Sequence, residues 1–505
     1  MKKIYRIDNL IKRTNKEKSL GHKIVHCHGV FDLVHIGHIK HFREAKKNGD
    51  YLIVSITSDK FVNKGSGRPI FNENFRAEFI ASLEFVNAVY INDEQTPEKL
   101  ISLIKPNIYF KGPDYKKTKE DRTRNILKEI RVVKKFGGKV AFSNDITFSS
   151  SSLINNYFDS FDTFQKKYLS NVSKKYGYEF IEKKINSLKN FKVLLIGETI
   201  IDQYIFGNTL GKSGKEPHLV LHEERKENYL GGASAIANHL SGFCKKVEFL
   251  SVVGSSKENI SFVKKSLAKN VNPKFLLKKN SPTILKKRFI DNVTKHKLLG
   301  VYSMNDAKLD DDLEKKLISY IKKISKKCDL ILVSDYGHGF ISEKVAKIIS
   351  SMNKSFSLNA QVNASNYGYH SLRKYKKIDN LIINESELRH EMRDKISNSE
   401  VLALQMIKDL KINNLIITRG KNGAIFLKKN SKPVYCPAFA NKVIDKIGAG
   451  DSMLSIIALC MKIKLPNDLA LFLGSLAGAT AVENIGNSKS INKQELLRQV
   501  QFSIK

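Results

Sequence analysis

Four histidines crowd the stretch HGVFDLVHIGHIKHF, residues 28–42: His28, His35, His38 and His41. The three-residue spacing of His35, His38 and His41 puts them on one face of a helix. Three chemistries are open to such a face. It could ligate a metal, although structural zinc wants four ligands. It could be an ordinary solvated surface. Or it could donate hydrogen bonds to phosphate. The surroundings favour the third. A short apolar run leads into Gly29-Val30-Phe31-Asp32, and a helix opens near Gly37. Helix N-termini carry unpaired N–H groups and partial positive charge, which suit an anion. Gly37 removes a Cβ where phosphate must come close, and His35 and His38 can donate to charge developing on an attacked phosphorus.

A second candidate lies far downstream, where Gly448-Ala449-Gly450-Asp451 opens an apolar helix. Small residues at a helix start leave backbone amides accessible to a transferring phosphoryl group. Asp451 on the first turn could take a proton from an attacking hydroxyl, or simply stabilise the helix dipole. Gly207 to Ser213 superficially suggests a P-loop. Its spacing is one residue short, and it falls in a β-patterned segment rather than at a strand-to-helix turn.

These groups need elements to hold them. Residues 24–27, 51–57, 86–91, 107–111 and 139–143 read as short buried strands, separated by helical patterns at 37–48, 73–84 and 97–105. Such alternation predicts a parallel, doubly wound sheet. Residues 156–190 are polar and Lys-rich and read as a connecting helix or linker. A second alternation starts at 191, with strands at 247–253, 329–334, 356–359, 380–384, 414–418 and 424–427. The segments 203–229 and 283–303 predict a small β element set on that sheet. The expected organisation is α/β throughout, with two doubly wound parallel-sheet domains at 22–158 and 191–505 and a linker at 159–190.

With 505 residues, 41% hydrophobic and 27% charged, the chain has the balance of a soluble globular protein. It contains no run of about 18 apolar residues, so no membrane span is expected. The five cysteines form no C-x-x-C pair, which with the lack of a signal-peptide pattern points to a reduced, cytoplasmic setting. The net charge of +37 invites a nucleic-acid reading. The lysines are spread along the whole chain, however, and a Lys/Ile/Asn bias also follows from an AT-rich genome. Positive potential serves small phosphorylated substrates equally well.

HGVFDLVHIGHIKHF resembles the G-x-F-D-x-x-H-x-G-H signature of the cytidylyltransferase-like nucleotidyltransferases. Lys64, Gly67-Arg68-Pro69, Arg76, Lys111-Gly112-Pro113-Asp114-Tyr115 and the serine run 149–152 follow in that family's order. The resemblance implies a Rossmann-like nucleotidyltransferase domain in which His35 and His38 stabilise the α-phosphate transition state. It also implies nucleotide or phosphate contacts from Gly29, Phe31, Gly37, Lys64, Arg76, Lys111, Gly112, Asp114, Ser150 and Ser151. The serine run could equally be a helix-capping cluster.

In the second half, Gly231-Gly232-Ala233, Asn384-Glu385-Ser386-Glu387, Thr418-Arg419-Gly420 and the G-A-G-D run resemble the ribokinase-like (PfkB) sugar kinases. That resemblance implies a ribokinase-like domain with a β lid and Asp451 as catalytic base. It implies that Gly448, Ala449 and Gly450 cradle the γ-phosphate, and that Asn384 and Glu387 organise Mg²⁺ indirectly. Thr418 and Gly420 would border ATP, and Asp202, Gly231, Gly232 and Arg288 the sugar. The sequence departs from the pattern at Ala235, Ile447 and Asn359-Ala360-Gln361, which leaves the sugar open. Lys286, Lys287 and Arg288 could bind a sugar phosphate or form a solvated face.

Together the halves resemble the bifunctional heptose-7-phosphate kinase/heptose-1-phosphate adenylyltransferase family, whose usual order is kinase first, whereas here the transferase motifs lead. The resemblance implies two transferase activities: ATP-dependent sugar phosphorylation, and nucleotidyl transfer from ATP or CTP to a sugar 1-phosphate. The expected partners are sugar phosphates and nucleoside triphosphates, with a homo-oligomer left open. Rival readings are an enzyme for another sugar or polyol, a non-catalytic sugar-phosphate sensor, and an RNA-binding protein, the last disfavoured by the lack of aromatic-basic motifs.

Overall fold

In the computed structural model the described residues are 3–62, 68–112, 125–143, 161–440 and 442–504. They form two compact units, Met1–Asp162 and Thr163–Ile504.

The first unit begins with helix α1 (Ile7–Ser19), followed by β1 (Ile24–Gly29), α2 (Ile36–Lys47), β2 (Tyr51–Thr57), α3 (Glu73–Ser82), β3 (Ala88–Asn92), α4 (Glu98–Ile104), β4 (Ile108–Lys111), α5 (Asn125–Lys135) and β5 (Lys139–Phe142). The five strands are all parallel, in the order β3-β2-β1-β4-β5. Every residue of β2 is buried, as expected where helices cover both faces of a parallel sheet. Val25, Cys27, Val54 and Ile56 meet Phe42 and Ala45 of α2 in the core. The chain leaves β1 toward β2 on one side and returns as β4 on the other. That reversal opens a crevice at the strands' C-terminal ends, where Gly29 and Lys111 emerge.

The second unit contains α6 (Thr163–Ser187), β6 (Lys192–Gly197), β7 (Thr199–Lys212), β8 (Leu219–Gly231), α7 (Gly232–Ser241), β9 (Lys246–Val253), α8 (Lys257–Ser266), β10 (Val271–Leu277), β11 (Ile284–Asp291), β12 (Lys297–Ser303), α9 (Asp311–Ser325), β13 (Leu330–Asp335), α10 (Glu343–Ser351), β14 (Phe356–Ala360), β15 (Asn380–Asn384), α11 (Glu385–Met392), α12 (Ser399–Leu410), β16 (Asn414–Thr418), β17 (Ala424–Leu427), β18 (Val434–Cys436), α13 (Ala449–Lys462), α14 (Asn467–Val482) and α15 (Lys493–Ser503). The main sheet runs β10-β9-β6-β13-β14-β15-β16-β17-β18, parallel up to β16 and antiparallel for the last two strands. A separate four-stranded sheet, β12-β11-β7-β8, is the expected lid. In it β7 pairs antiparallel with β8 and parallel with β11.

Of the two readings for the connecting segment, the structure has the helix, and it is packed into the second unit. Helix α6 buries Leu169, Val172, Ile181 and Ile185. Tyr168 and Tyr176 donate their hydroxyls to the backbone oxygen and the carboxylate of Asp468, at 2.7 and 2.6 Å. Among the described residues no helix is long and apolar enough to cross a membrane.

Candidate active sites

In the first unit, β1 delivers the chain into a turn where Phe31 adopts a positive φ of 47°. Its ring is buried and meets His38 edge-on at 5.3 Å. Phe31 thus supports a histidine from below. Asp32 is also buried, and its carboxylate accepts from the backbone N–H groups of Ile70 (2.7 Å) and Phe71 (3.3 Å) and from the Arg68 guanidinium (3.1 Å). The signature's aspartate therefore ties the loop before α3 to the histidine turn.

His35 is the N-cap of α2, and its Nδ1 accepts the Gly37 N–H at 3.1 Å. A neutral imidazole that accepts at Nδ1 carries its proton on Nε2. That Nε2 is buried with no hydrogen-bond partner among the described residues. Burial also lowers the pKa of His35, which keeps the ring neutral. His38 Nδ1 accepts the His35 N–H at 3.4 Å, and the two rings lie 4.0 Å apart at 34°. The residue at the N-cap of α2, where an anion is favoured, thus carries an unpartnered N–H donor.

Lys111 ends β4 and pairs with Glu129 at 3.0 Å, and Glu129 also accepts the Tyr109 hydroxyl at 2.9 Å. Burial first, and the Lys111 charge second, push His26 down to about 3 and His41 to about 4. Both of these rings are thus neutral at physiological pH. No group of three His, Cys, Asp or Glu side chains among the described residues is placed to share a metal ion.

Arg76 requires a correction. Expected at a phosphate, its guanidinium is buried and donates to the carbonyls of Phe71 (2.9 Å), Val30 (2.6 Å) and Thr57 (2.9 Å) and to the Asp59 carboxylate (2.5 Å). It is an internal clamp between the histidine turn and the end of β2. Arg76→Met should destabilise the first unit by about 3 kcal/mol, because several buried acceptors lose their donor. Urea unfolding followed by circular dichroism would measure this. Lys64, Asp114, Ser150 and Ser151, with the rest of the serine run 149–152, lie outside the described residues. Gly112 directly follows β4, with open space where a Cβ would stand.

In the second unit, Gly448 caps α13 with a φ of +88°, and a Cβ there would stand 2.1 Å from the Asn487 Oδ1. Glycine is therefore required to turn the chain into the helix. Ala449 and Gly450 present the first amides, and Asp451 follows on the same turn. The Asp451 Oδ1 accepts the Tyr336 hydroxyl at 2.8 Å. Burial pushes the Asp451 pKa up to about 6, with Asp202 adding to the rise and Tyr336 and Lys286 opposing it. A carboxylate so raised has the basicity of a general base.

Asp202 on β7 receives the Arg288 guanidinium at 2.6 Å. The parallel register of β7 and β11 sets Lys286 opposite Asp202, and burial lowers the Lys286 pKa. Gly231 ends β8, and a Cβ there would lie 2.2 Å from the Asp202 Oδ2. Gly232 opens α7. The loop before α13 is tied to the lid, since Asp445 accepts from Tyr204 of β7 (2.6 Å) and Lys297 of β12 (2.5 Å). It also accepts the N–H groups of Ile447 and Gly486, each at 3.1 Å.

Asn384 and Glu387 form a reciprocal capping box at the start of α11, with bonds of 2.8 and 2.7 Å. The N-x-x-E spacing thus also serves locally as a helix cap. Burial pushes the Glu387 pKa up to about 7. Both residues line a groove with Asn363, His370, Arg389 and His390. Asn384 pairs in register with Thr418 across β15 and β16, and Gly420 opens the turn beyond. Sequence reasoning missed the role of Tyr336, whose only visible signal was the glycine-rich turn Asp335-Tyr336-Gly337-His338-Gly339 after a buried strand.

Residues 190–494 match the pfkB family of carbohydrate kinases, well over half the chain. The chain belongs to that family. Ahead of this pfkB region, residues 26–156 match the cytidylyltransferase-like family. The protein named Bifunctional protein HldE from Aliarcobacter butzleri is 42% identical over 134 residues, covering 26% of this chain and 28% of that protein. Its namesake from Helicobacter pylori strain Shi470 is 29% identical over 303 residues, 59% of this chain and 64% of the relative. In both, the match spans less than two thirds of the relative's length. Phosphofructokinase-2 from Escherichia coli, solved in complex with substrates and products, aligns at a TM-score of 0.51 and 15% identity over 63% of this chain and all of that one. That likeness is one of fold. The second unit of this pfkB protein has the ribokinase-like architecture with its lid, and the first is Rossmann-like.

Proposed function

We propose that this pfkB protein catalyses two of the steps that make a nucleotide-activated sugar, with a separate phosphatase hydrolysing the acceptor's original phosphate between them. The second unit phosphorylates a sugar phosphate with ATP at the anomeric hydroxyl. The first transfers a nucleotidyl group from ATP or CTP to the sugar 1-phosphate and releases pyrophosphate. An ADP-heptose-type precursor of surface polysaccharide is the product class this reading favours. The observation that carries it is the presence of a pfkB kinase and a cytidylyltransferase-like domain in one chain, the first installing the anomeric phosphate that the second extends once the other phosphate has been removed.

In the kinase step Asp451 accepts the proton of the attacking hydroxyl while the amides of Ala449 and Gly450 hold the γ-phosphate. Asp202 and Arg288 hold the acceptor. Thr418 and Gly420 border the nucleotide. Magnesium, when bound, neutralises and aligns the triphosphate. The donor set is compatible, being oxygen-based, but the Glu387 Oε2 already accepts the Asn384 N–H. Asn384 and Glu387 would therefore reach the ion through its own water shell, which magnesium retains readily. In the transfer step His35 and His38 donate to the α-phosphate as the sugar phosphate attacks, with Lys111 and Gly112 at the crevice edge.

The test is incubation with ATP, CTP, magnesium and a panel of sugar and polyol phosphates, following ADP and pyrophosphate separately. Turnover of a polyol phosphate with CTP would assign a different substrate, and binding without turnover would make the protein a sensor. Gly231→Ala is expected to raise KM for the acceptor about tenfold or more with KM for ATP unchanged, because the added methyl displaces the Asp202 carboxylate. Steady-state kinetics with each substrate varied in turn would show it.

A further inference from the structure

Outside the residues that would touch substrate, the most elaborately built feature of the second unit is the turn after β13. Glu198, fully buried, accepts the N–H groups of Tyr336 and His338, each at 3.1 Å. The Tyr336 carbonyl accepts from the side-chain amides of Asn363 (2.9 Å) and Asn366 (2.8 Å). Asn366 is itself fixed, since its Oδ1 accepts the Asn363 N–H at 2.8 Å. The Tyr336 ring packs against Ile200 and Ile284, at the roots of two lid strands, with Met304 beside them. Backbone and ring are thus both immobilised. The one polar atom that this framework delivers is the phenolic hydroxyl, and it goes to the Asp451 Oδ1.

We propose that Tyr336 is a positioning residue for the phosphoryl-transfer step, holding the Asp451 carboxylate by one oxygen so that the other faces the acceptor hydroxyl. The inference rests on the kinase reading and extends it to a residue that acts through Asp451. No hydrogen bond to the Asp451 Oδ2 is present among the described residues, so the second oxygen remains able to accept a proton. A phenol serves well here. Burial, and next the neighbouring Asp451 charge, raise the Tyr336 pKa well above its ordinary value, so it remains a donor at every working pH. Its donation favours the ionised form of Asp451 and so offsets part of the rise that burial causes. The other charged groups near Asp451 are Asp202 of β7, Lys286 of β11 and Glu387 of α11. None of them changes in a Tyr336→Phe protein, which loses one oxygen and retains the ring.

The experiment compares wild type with Tyr336→Phe in two readouts. One is the pH profile of ADP formation. The other needs no turnover: the full chain is labelled with ¹³C at aspartate Cγ, and the resonance absent from Asp451→Asn is titrated. A hydrogen bond to a charged group shifts a pKa by about one unit when removed. The Asp451 titration and the acidic limb of the profile should therefore both move up by about one unit in Tyr336→Phe. kcat at pH 7 should drop about tenfold, about twofold of it from the shifted titration and the rest from lost positioning of the carboxylate, with KM for ATP unmoved. An unshifted resonance overturns the inference whether or not the protein turns over. A wild type that forms no ADP with any acceptor, yet shows the shifted resonance, overturns the kinase reading and leaves the Tyr336–Asp451 coupling standing.

Discussion

Asp451→Asn is expected to lower ADP formation by about a thousandfold while pyrophosphate release from supplied sugar 1-phosphate stays at the wild-type rate. General-base assistance is worth about 10²–10⁴ in rate, and the upper half of that range applies because the position is desolvated. Asparagine preserves shape and can still accept from Tyr336, so binding of both substrates should survive. The change removes only the ability to take a proton. The sign of the pH dependence follows from the pKa of about 6. The base must be ionised to work, so wild-type kcat/KM falls as pH drops through about 6 and is level above it. The asparagine protein has no such limb. A coupled ADP assay from pH 5 to 8, run beside a pyrophosphate assay, checks both parts. Loss of both activities would show that the two sites are not independent.

Much of this site was legible because its logic is local. The G-A-G-D run needs only its own helix to make an amide cradle, and the lid strands announce themselves by alternating polarity. The first sheet was readable from the continuous apolar runs that a parallel sheet buries on both faces. What could not be read depends on distance or on a second use of the same spacing. Tyr336 lies 115 residues from Asp451, and Lys297 lies 148 from Asp445. Nothing local marks either pairing. The N-x-x-E motif is ambiguous because a capping box has the same spacing. Arg76 falls in order among the nucleotidyltransferase motifs and so is expected at a phosphate, and only the fold shows four internal acceptors converging on it. Strand β10 contains Pro273, which argues against a strand. It is tolerated because β10 is the sheet's edge. For helix α6 the connecting-helix reading holds, but its packing was obscured by Gly177, whose φ of 65° interrupts the helical period and puts its apolar positions out of phase.

His38→Ala should produce the reverse of the asparagine change: pyrophosphate release reduced about a hundredfold or more, with ADP formation intact. Losing one preorganised donor to a developing oxyanion costs about 10²–10³ in rate. His35 needs a different substitution, because it does two things at once. Its Nδ1 caps α2 through the Gly37 N–H, while its Nε2 faces away from that bond without a partner. Alanine would remove cap and donor together, and loss of the cap alone costs about 1 kcal/mol of stability. Asparagine is a strong N-cap but too short to present an N–H where the Nε2 stands. His35→Asn should therefore melt like wild type and still lose about a hundredfold in nucleotidyl transfer. Because burial lowers the His35 pKa, the donor is the neutral ring. Transfer should then not decline through histidine deprotonation as pH rises from 6 to 8. A rate that fell across that interval in wild type, and was flat in His35→Asn, would instead mean that the imidazolium is the working form.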